Sequence, residues 1–168
     1  SDSIRSYKVI SSYDLNNNQT LDEQYVWDEN ISNWRGNSRV THNYDSENNL
    51  LLYISYSWNE NINDWIYESK SISTYNSNND ETSQEDYNWD ESTNNWKGYN
   101  KYISTYDSNY NQIYSESFEW DESTNNWKGW SKVITTYDLN NNQTLEESYE
   151  WDESINNWKG SSKSIIYY

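Results

Sequence analysis

Along Thr144–Trp151, TLEESYEW, side chains alternate strictly. Leu145, Glu147, Tyr149 and Trp151 fall on one side of an extended chain, and Thr144, Glu146, Ser148 and Glu150 on the other. A period of two is the signature of a half-buried strand. The following run, WKGSSKSIIY at Trp158–Tyr167, reads the same way and places Trp158, Gly160, Ser162, Ser164 and Ile166 on the first side. Between the two runs lies a polar turn, and a second polar turn of the form Tyr-Asp-x-Asn-x-Asn precedes them, as in YDLNNNQT at Tyr13–Thr20. Each such unit is predicted to be a β-hairpin.

The unit recurs. Trp27, Trp58, Trp89, Trp120 and Trp151 stand 31 residues apart, as do Trp34, Trp65, Trp96, Trp127 and Trp158. Tyr13, Tyr44, Tyr75, Tyr106, Tyr137 and Tyr168 keep the same step, and so do Lys8, Arg39, Lys70, Lys101, Lys132 and Lys163. Fixed periodicity of this length marks a repeat architecture. The expected organisation is five hairpin repeats, 13–43, 44–74, 75–105, 106–136 and 137–167. Residues 1–12 read as the returning strand of a further unit and 168 as the start of the next, so the array reads as cut from a longer one. The predicted fold is all-β, an antiparallel meander of about eleven strands in an open twisted or superhelical single-layer sheet. A closed barrel or shell is the alternative. A propeller would need a 62-residue super-period, which is absent.

Charges suggest the register. With Trp151 opposite Trp158, Glu150 faces Lys159 and Glu146 faces Lys163; the fourth unit puts Glu119 opposite Lys128, and the first puts Asp22 opposite Arg39. Opposite charges directly across strands contribute about 0.2–1 kcal/mol each. The paired tryptophans then clamp the hairpin mouth. The fifth position of the Tyr-Asp-x-Asn-x-Asn turn calls for positive φ, where Gly or Asn is favoured. Asn17, Asn48, Asn79 and Asn141 satisfy it, whereas Tyr110 predicts a strained or rearranged turn.

The Tyr-Asp-x-Asn-x-Asn turns alternating with paired-Trp hairpins resemble the tandem repeats of secreted surface proteins of Bacteroidetes, over the whole chain. They are more distantly similar to the YD repeats of RHS and teneurin shells. This chain departs from the usual pattern in having Asn where Gly is common, and Tyr at 110. The resemblance implies a repeat scaffold in an extracellular or cell-surface location, with no defined reaction and no catalytic residue to carry over.

Composition narrows the function classes. The chain has 168 residues, 11 Trp, 18 Tyr and 1 Phe, no Cys, Pro or Met, and a net charge of −17. Aromatics make up over half of the apolar set, at 18% of residues against 32%. Such acidity disfavours nucleic acid and anionic membrane surfaces, which are bound by basic patches. No run is long or apolar enough for insertion into a bilayer.

Catalysis finds little footing. The single histidine, His42, stands where most units have Ser or Thr and reads as a tolerated surface variant. Glu23, Glu85, Glu116 and Glu147 recur on the aromatic face, but equivalent carboxylates roughly 10 Å apart, two strand spacings, lack the differing environments an acid/base pair needs. No enzyme is expected.

Two binding readings stand. Asp14, Asn16 and Asn18, and likewise Asp138, Asn140 and Asn142, put oxygen ligands at alternate positions, a weak Ca²⁺ pattern. Tight turns favour the same residues, and the turn reading takes precedence. The Asp-Glu pairs beginning at Asp28, Asp90, Asp121 and Asp152 form an acidic edge with the same weak potential for Ca²⁺. Otherwise no cofactor is expected. The aromatic rows are the stronger feature. The ten paired tryptophans, with Tyr25, Tyr56, Tyr87, Phe118 and Tyr149 in a parallel row, either hold hairpins together or stack against a polysaccharide. Trp130, after Gly129, should point to the opposite face as an exposed contact. The expected function is a non-enzymatic structural or adhesive scaffold, its partners being adjacent repeats or copies of itself. A carbohydrate-binding module and a self-assembling filament subunit are the alternatives. Pairing of the two end strands of separate segments would join two returning strands, so regular fibres by edge addition are not expected.

Overall fold

The computed structural model describes residues 6–168, so the first five residues of the 1–12 segment lie outside the described residues. Eleven strands follow in chain order: β1 (Tyr7–Tyr13), β2 (Gln19–Asp28), β3 (Asn33–Tyr44), β4 (Leu50–Asn59), β5 (Asp64–Tyr75), β6 (Glu81–Asp90), β7 (Asn95–Tyr106), β8 (Gln112–Asp121), β9 (Asn126–Tyr137), β10 (Gln143–Asp152) and β11 (Asn157–Ile165). The sheet order is the chain order, β1 through β11, with no pairing of β11 back to β1. This is an open antiparallel meander, not a closed barrel or shell. The chain forms two compact units, one running through Ile72 and including Asn88–Trp96, the other made of Ser73–Tyr87 and Lys97–Tyr168.

No apolar side chain is fully buried among the described residues. The residues that reach burial are Glu23, Thr135, Gly36 and Gly129. A single layer has no second layer to bury an apolar face against. Cohesion must come from contacts between neighbouring hairpins, as in other quasi-one-dimensional arrays.

The register agrees with the charge reading near the hairpin mouth and departs from it farther down. Trp151 faces Trp158, Glu150 faces Lys159 and Glu119 faces Lys128. Beyond these positions a β-bulge intervenes. Tyr149 pairs with Gly160 but Ser148 pairs with Ser162, leaving Ser161 unpaired. Lys163 therefore faces Glu147 and not Glu146, and Arg39 faces Glu23 and not Asp22. Asn37, Glu68 and Trp130 are the unpaired residues of the corresponding hairpins. An extra residue in one strand exchanges the faces of everything beyond it. On β11 the aromatic side thus carries Trp158, Gly160, Lys163 and Ile165, replacing the unbroken alternation that put Ser162, Ser164 and Ile166 there.

The Tyr-Asp turns adopt the expected backbone. φ is 67° at Asn17, 69° at Asn48, 66° at Asn79 and 62° at Asn141. Tyr110 sits at 65° with the turn path kept: Asp107 N donates to Asn111 O at 2.9 Å and Tyr110 N to Asp107 O at 3.2 Å. The turn is strained as expected but not rearranged. The first aspartate organises it, as Asp107 Oδ1 accepts the N–H groups of Asn109 (2.8 Å) and Asn111 (3.0 Å). These bonds hold the path whatever side chain stands at 110.

Adjacent turns are also tied together. Asn18 Nδ2 donates to Asn48 Oδ1 at 2.7 Å, and Asn111 Nδ2 to Asn141 Oδ1 at 3.1 Å. At the equivalent rung Asp80 offers no amide donor and Tyr110 no amide acceptor, so both halves of that bond are missing from one pair of turns. A left-handed conformation costs a residue with Cβ about 1–2 kcal/mol, less for Asn. Tyr110→Asn is therefore expected to stabilise the chain by about 1 kcal/mol in urea unfolding, chiefly through φ, since Asp80 still cannot donate. An unchanged midpoint would mean that Tyr110 is not strained.

The hairpin loops contain a second left-handed position, which Asn fills in four of the five: Ser32 (50°), Asn63 (54°), Asn94 (52°), Asn125 (53°) and Asn156 (49°).

Candidate functional site

The aromatic face is built from a repeating joint. All five Trp pairs meet nearly edge to face, with centroids 5.4 Å apart for Trp27/Trp34, 5.1 Å for Trp58/Trp65, Trp89/Trp96 and Trp120/Trp127, and 5.2 Å for Trp151/Trp158. That geometry suits the ring quadrupoles. The four pairs after the first also reach the preceding hairpin. Tyr25 lies edge-on to Trp58 and Trp65, Tyr87 to Trp127, and Phe118 to Trp158.

Opposite Tyr25 and Phe118 stand Gly36 and Gly129, and the next Trp pair occupies the space above these glycines. A Cβ on Gly98 would come within 2.7 Å of Trp120 Cδ2 and 2.8 Å of Trp127. On Gly129 it would lie 2.6 Å from Trp151 and 2.9 Å from Trp158. Close approach is the reason for glycine at these places. Tyr67 replaces it in the second hairpin, and its ring contacts Trp89 and Trp96 at tilted angles.

A recurring basic residue, which the bulge brings over as Arg39, Lys70, Lys132 and Lys163, completes the joint. Lys163 bonds Glu147 at 2.6 Å, Lys101 lies 2.7 Å from Glu85, and Arg39 Nε lies 3.1 Å from Glu23. Lys132 sits over Tyr149 (4.5 Å) and Trp158 (5.2 Å), Arg39 over Tyr56 (4.6 Å), and Lys70 over Trp96 (4.9 Å). Tyr25 Oη donates to Glu23 and accepts from Trp65 Nε1 at 3.2 Å. Tyr87 hydrogen-bonds Glu85. Burial and then the Glu85 carboxylate push the Tyr87 phenol up to about 12, and burial followed by Glu116 does the same for Tyr114. Lys163 holds Glu147 below the usual carboxylate range. The glutamate row thus serves as a set of paired or phenol-bound acceptors spaced along the joint.

The turn residues read as a weak Ca²⁺ pattern are used by the turns. Asp14 Oδ1 accepts Asn16 N and Asn18 N at 2.9 Å each, and Oδ2 accepts Asn18 Nδ2 at 3.0 Å. Asp138 does the same with Asn140 and Asn142. In both turns the amide presents its NH₂, and not its oxygen, to the carboxylate. The Asn18 side-chain amide and then its backbone N–H hold the Asp14 carboxyl below the ordinary range; for Asp138 the backbone N–H of Asn142 leads. Among the described residues no three His, Cys, Asp or Glu side chains cluster as a metal site.

The Asp-Glu pairs divide their work. Asp121 caps its own loop by accepting from Ser123 N (2.8 Å) and Thr124 Oγ1 (2.9 Å). The loop glutamate reaches the preceding hairpin: Glu60 to Arg35 at 2.9 Å, Glu153 to Lys128 at 2.5 Å, and Glu122 to Lys97 at 3.8 Å. His42 is half-buried between Tyr44 and Tyr53, with ring centroids 6.0 and 5.4 Å away.

Trp130 stands apart from the other tryptophans. As the unpaired bulge residue of β9 it makes no ring pair and is 63% exposed, whereas the paired tryptophans are half-buried, with Trp27 just exposed at 38%. Tyr99, at the same place in the 31-residue spacing, is 59% exposed. Sequence alternation flagged Trp130 as outward-facing but not the bulge that frees it.

No protein-family model matches the chain, and no curated protein matches it. Solved structures do. A protein of unknown function from Bacteroides fragilis is similar with a TM-score of 0.51 at 16% identity, over 77% of this chain and 93% of that one. A DUF3836 family protein from Bacteroides vulgatus gives 0.43 at 17%, over 57% and 97%. One from Parabacteroides distasonis gives 0.42 at 12%, over 55% and 82%. The first of these likenesses is one of fold.

Proposed function

We propose that this chain is a non-enzymatic repeat scaffold of a bacterial secreted or surface protein, in which the paired tryptophans act as joints between hairpins. The observation that carries this reading is the use of the Trp rings. Their edges and faces are taken up by the partner Trp, by the preceding Tyr or Phe, and by the strand surface over Gly36, Gly98 and Gly129. Rings committed in this way supply cohesion and leave little free face for a sugar. The similarity of the turn and Trp spacing to secreted Bacteroidetes repeats supports the extracellular assignment.

The test uses Trp130→Ser, which keeps only the ten joint tryptophans. Their emission should be blue-shifted, and any response to a panel of soluble polysaccharides in Ca²⁺-containing buffer should be much weaker than in the wild type. A saturable change in that variant with wild-type affinity would transfer the function to the Trp rows as a binding surface.

A further inference from the structure

We propose that the reverse face of hairpins β8–β9 and β10–β11 carries a binding groove for a neutral polysaccharide, with Trp130 as its stacking platform. This goes beyond the scaffold reading: the joint residues Trp127 and Trp151 also line the groove, and the stacking face is assigned to Trp130 alone.

The groove begins as a depression of about 450 Å³ lined by Trp130, Glu119, Lys128, Glu150 and Glu153. Glu119 and Glu150 each adjoin a joint Trp in sequence, so alternation turns them to the reverse face. A second depression of about 620 Å³ shares Lys128 and Glu153 with the first and adds Asp121, Ser123, Thr124, Asn126 and Asn156. The Lys128 ammonium is fixed between Glu119 (3.2 Å) and Glu153 (2.5 Å), at the place the two depressions share. Hydroxyls, amides and carboxylates thus follow an exposed indole along a continuous surface.

The chemistry selects the occupant. Three carboxylates against one ammonium, on a chain of net charge −17, repel polyanions. Glu150 is exposed and its carboxylate makes no ion pair or hydrogen bond among the described residues, so its oxygens are free to accept from hydroxyls. The Trp130 ring offers a flat apolar face to the C–H side of a pyranose, and an amphipathic aromatic anchor of this kind is a frequent energetic centre of recognition. Tyr99, one 31-residue repeat before Trp130 and 59% exposed, lies on β7, two strand spacings or roughly 10 Å away, a distance suited to a chain of linked sugars and not to a single one.

The bulge position tolerates replacement, since Asn37 and Ser161 stand there in other hairpins. Trp130→Ser should therefore melt with the wild type. Calorimetric titration of the whole chain with soluble β-glucan, galactomannan and xyloglucan is expected to show saturable binding to at least one. Binding should be roughly tenfold or more weaker in Trp130→Ser and also reduced in Tyr99→Ser. Chitosan oligosaccharide and alginate serve as cationic and anionic controls. Three outcomes would overturn the proposal: no neutral polysaccharide binds, binding is unchanged in Trp130→Ser, or only chitosan binds, which would mark a nonspecific acidic surface. The joints are tested separately, by the stability of a Trp127→Ala variant, which needs no polysaccharide.

Discussion

Trp127→Ala is expected to destabilise the chain by about 2–4 kcal/mol, somewhat below the range for a fully buried Trp because this ring is half-buried. Trp127 faces Trp120 at 5.1 Å with an interplanar angle of 83°, meets Tyr87 at 5.8 Å, and covers Gly98. One truncation removes all three contacts. With no fully buried apolar side chain among the described residues, no core can close over the gap. The loss should also be local, because each repeat leans on its neighbours. Hydrogen exchange should show β8 and β9 opening first, with smaller changes at distant strands. Trp130→Ala, by contrast, should fall within about 0.5 kcal/mol of the wild type, as expected for an exposed side chain without partners. Equal urea midpoints for the two variants would refute the joint.

The second large effect concerns a residue with no side chain. Gly98→Ala should cost about 1–3 kcal/mol, the range for overpacking a close-fitting contact. Its new methyl would enter the space of the Trp120 and Trp127 rings, and those rings are held by each other and by Tyr87. Gly160→Ala provides the control. A Cβ there meets nothing nearer than Tyr149 at 4.0 Å, so the substitution should be neutral or stabilise slightly through the lower backbone entropy of alanine. Tyr67 does not weaken the argument. It holds the equivalent place with a whole ring that meets Trp89 at 5.1 Å and Trp96 at 5.3 Å, a contact that a methyl cannot supply. A thermal melt of Gly98→Ala that matches Gly160→Ala would show the Trp rings to be adaptable and the glycine incidental.

Much of the fold was legible in the chain because both of its signals are local and repeated. Period-two alternation between polar turns marks strands, and Trp151 with Trp158 marks the mouth of a hairpin. The need for positive φ after Tyr-Asp-x-Asn follows from the turn alone, so even Tyr110 was identifiable as strained. Trp130 was legible as an outward contact from its variable position. Its neighbours Glu119, Lys128, Glu150 and Glu153 were not grouped with it, because they come from three strands and a loop of successive hairpins.

The bulges mark the limit of that reading. The unpaired positions carry Asn37, Glu68, Trp130 and Ser161, residues with no shared chemistry, and none has positive φ. No local signal could therefore reveal the extra residue. Yet it decides that Lys163 meets Glu147, that Arg39 meets Glu23, and that cations lie over the rings of the next hairpin. The sequence by itself determined the strands, their order, the turn conformations and the Trp pairs, since each depends on residues within one 31-residue unit. Tertiary structure alone decided which charges share a face, why the glycines must be bare and which indole is free. Those outcomes depend on where one hairpin sits against the next, and a single-residue shift in pairing reverses every side chain beyond it.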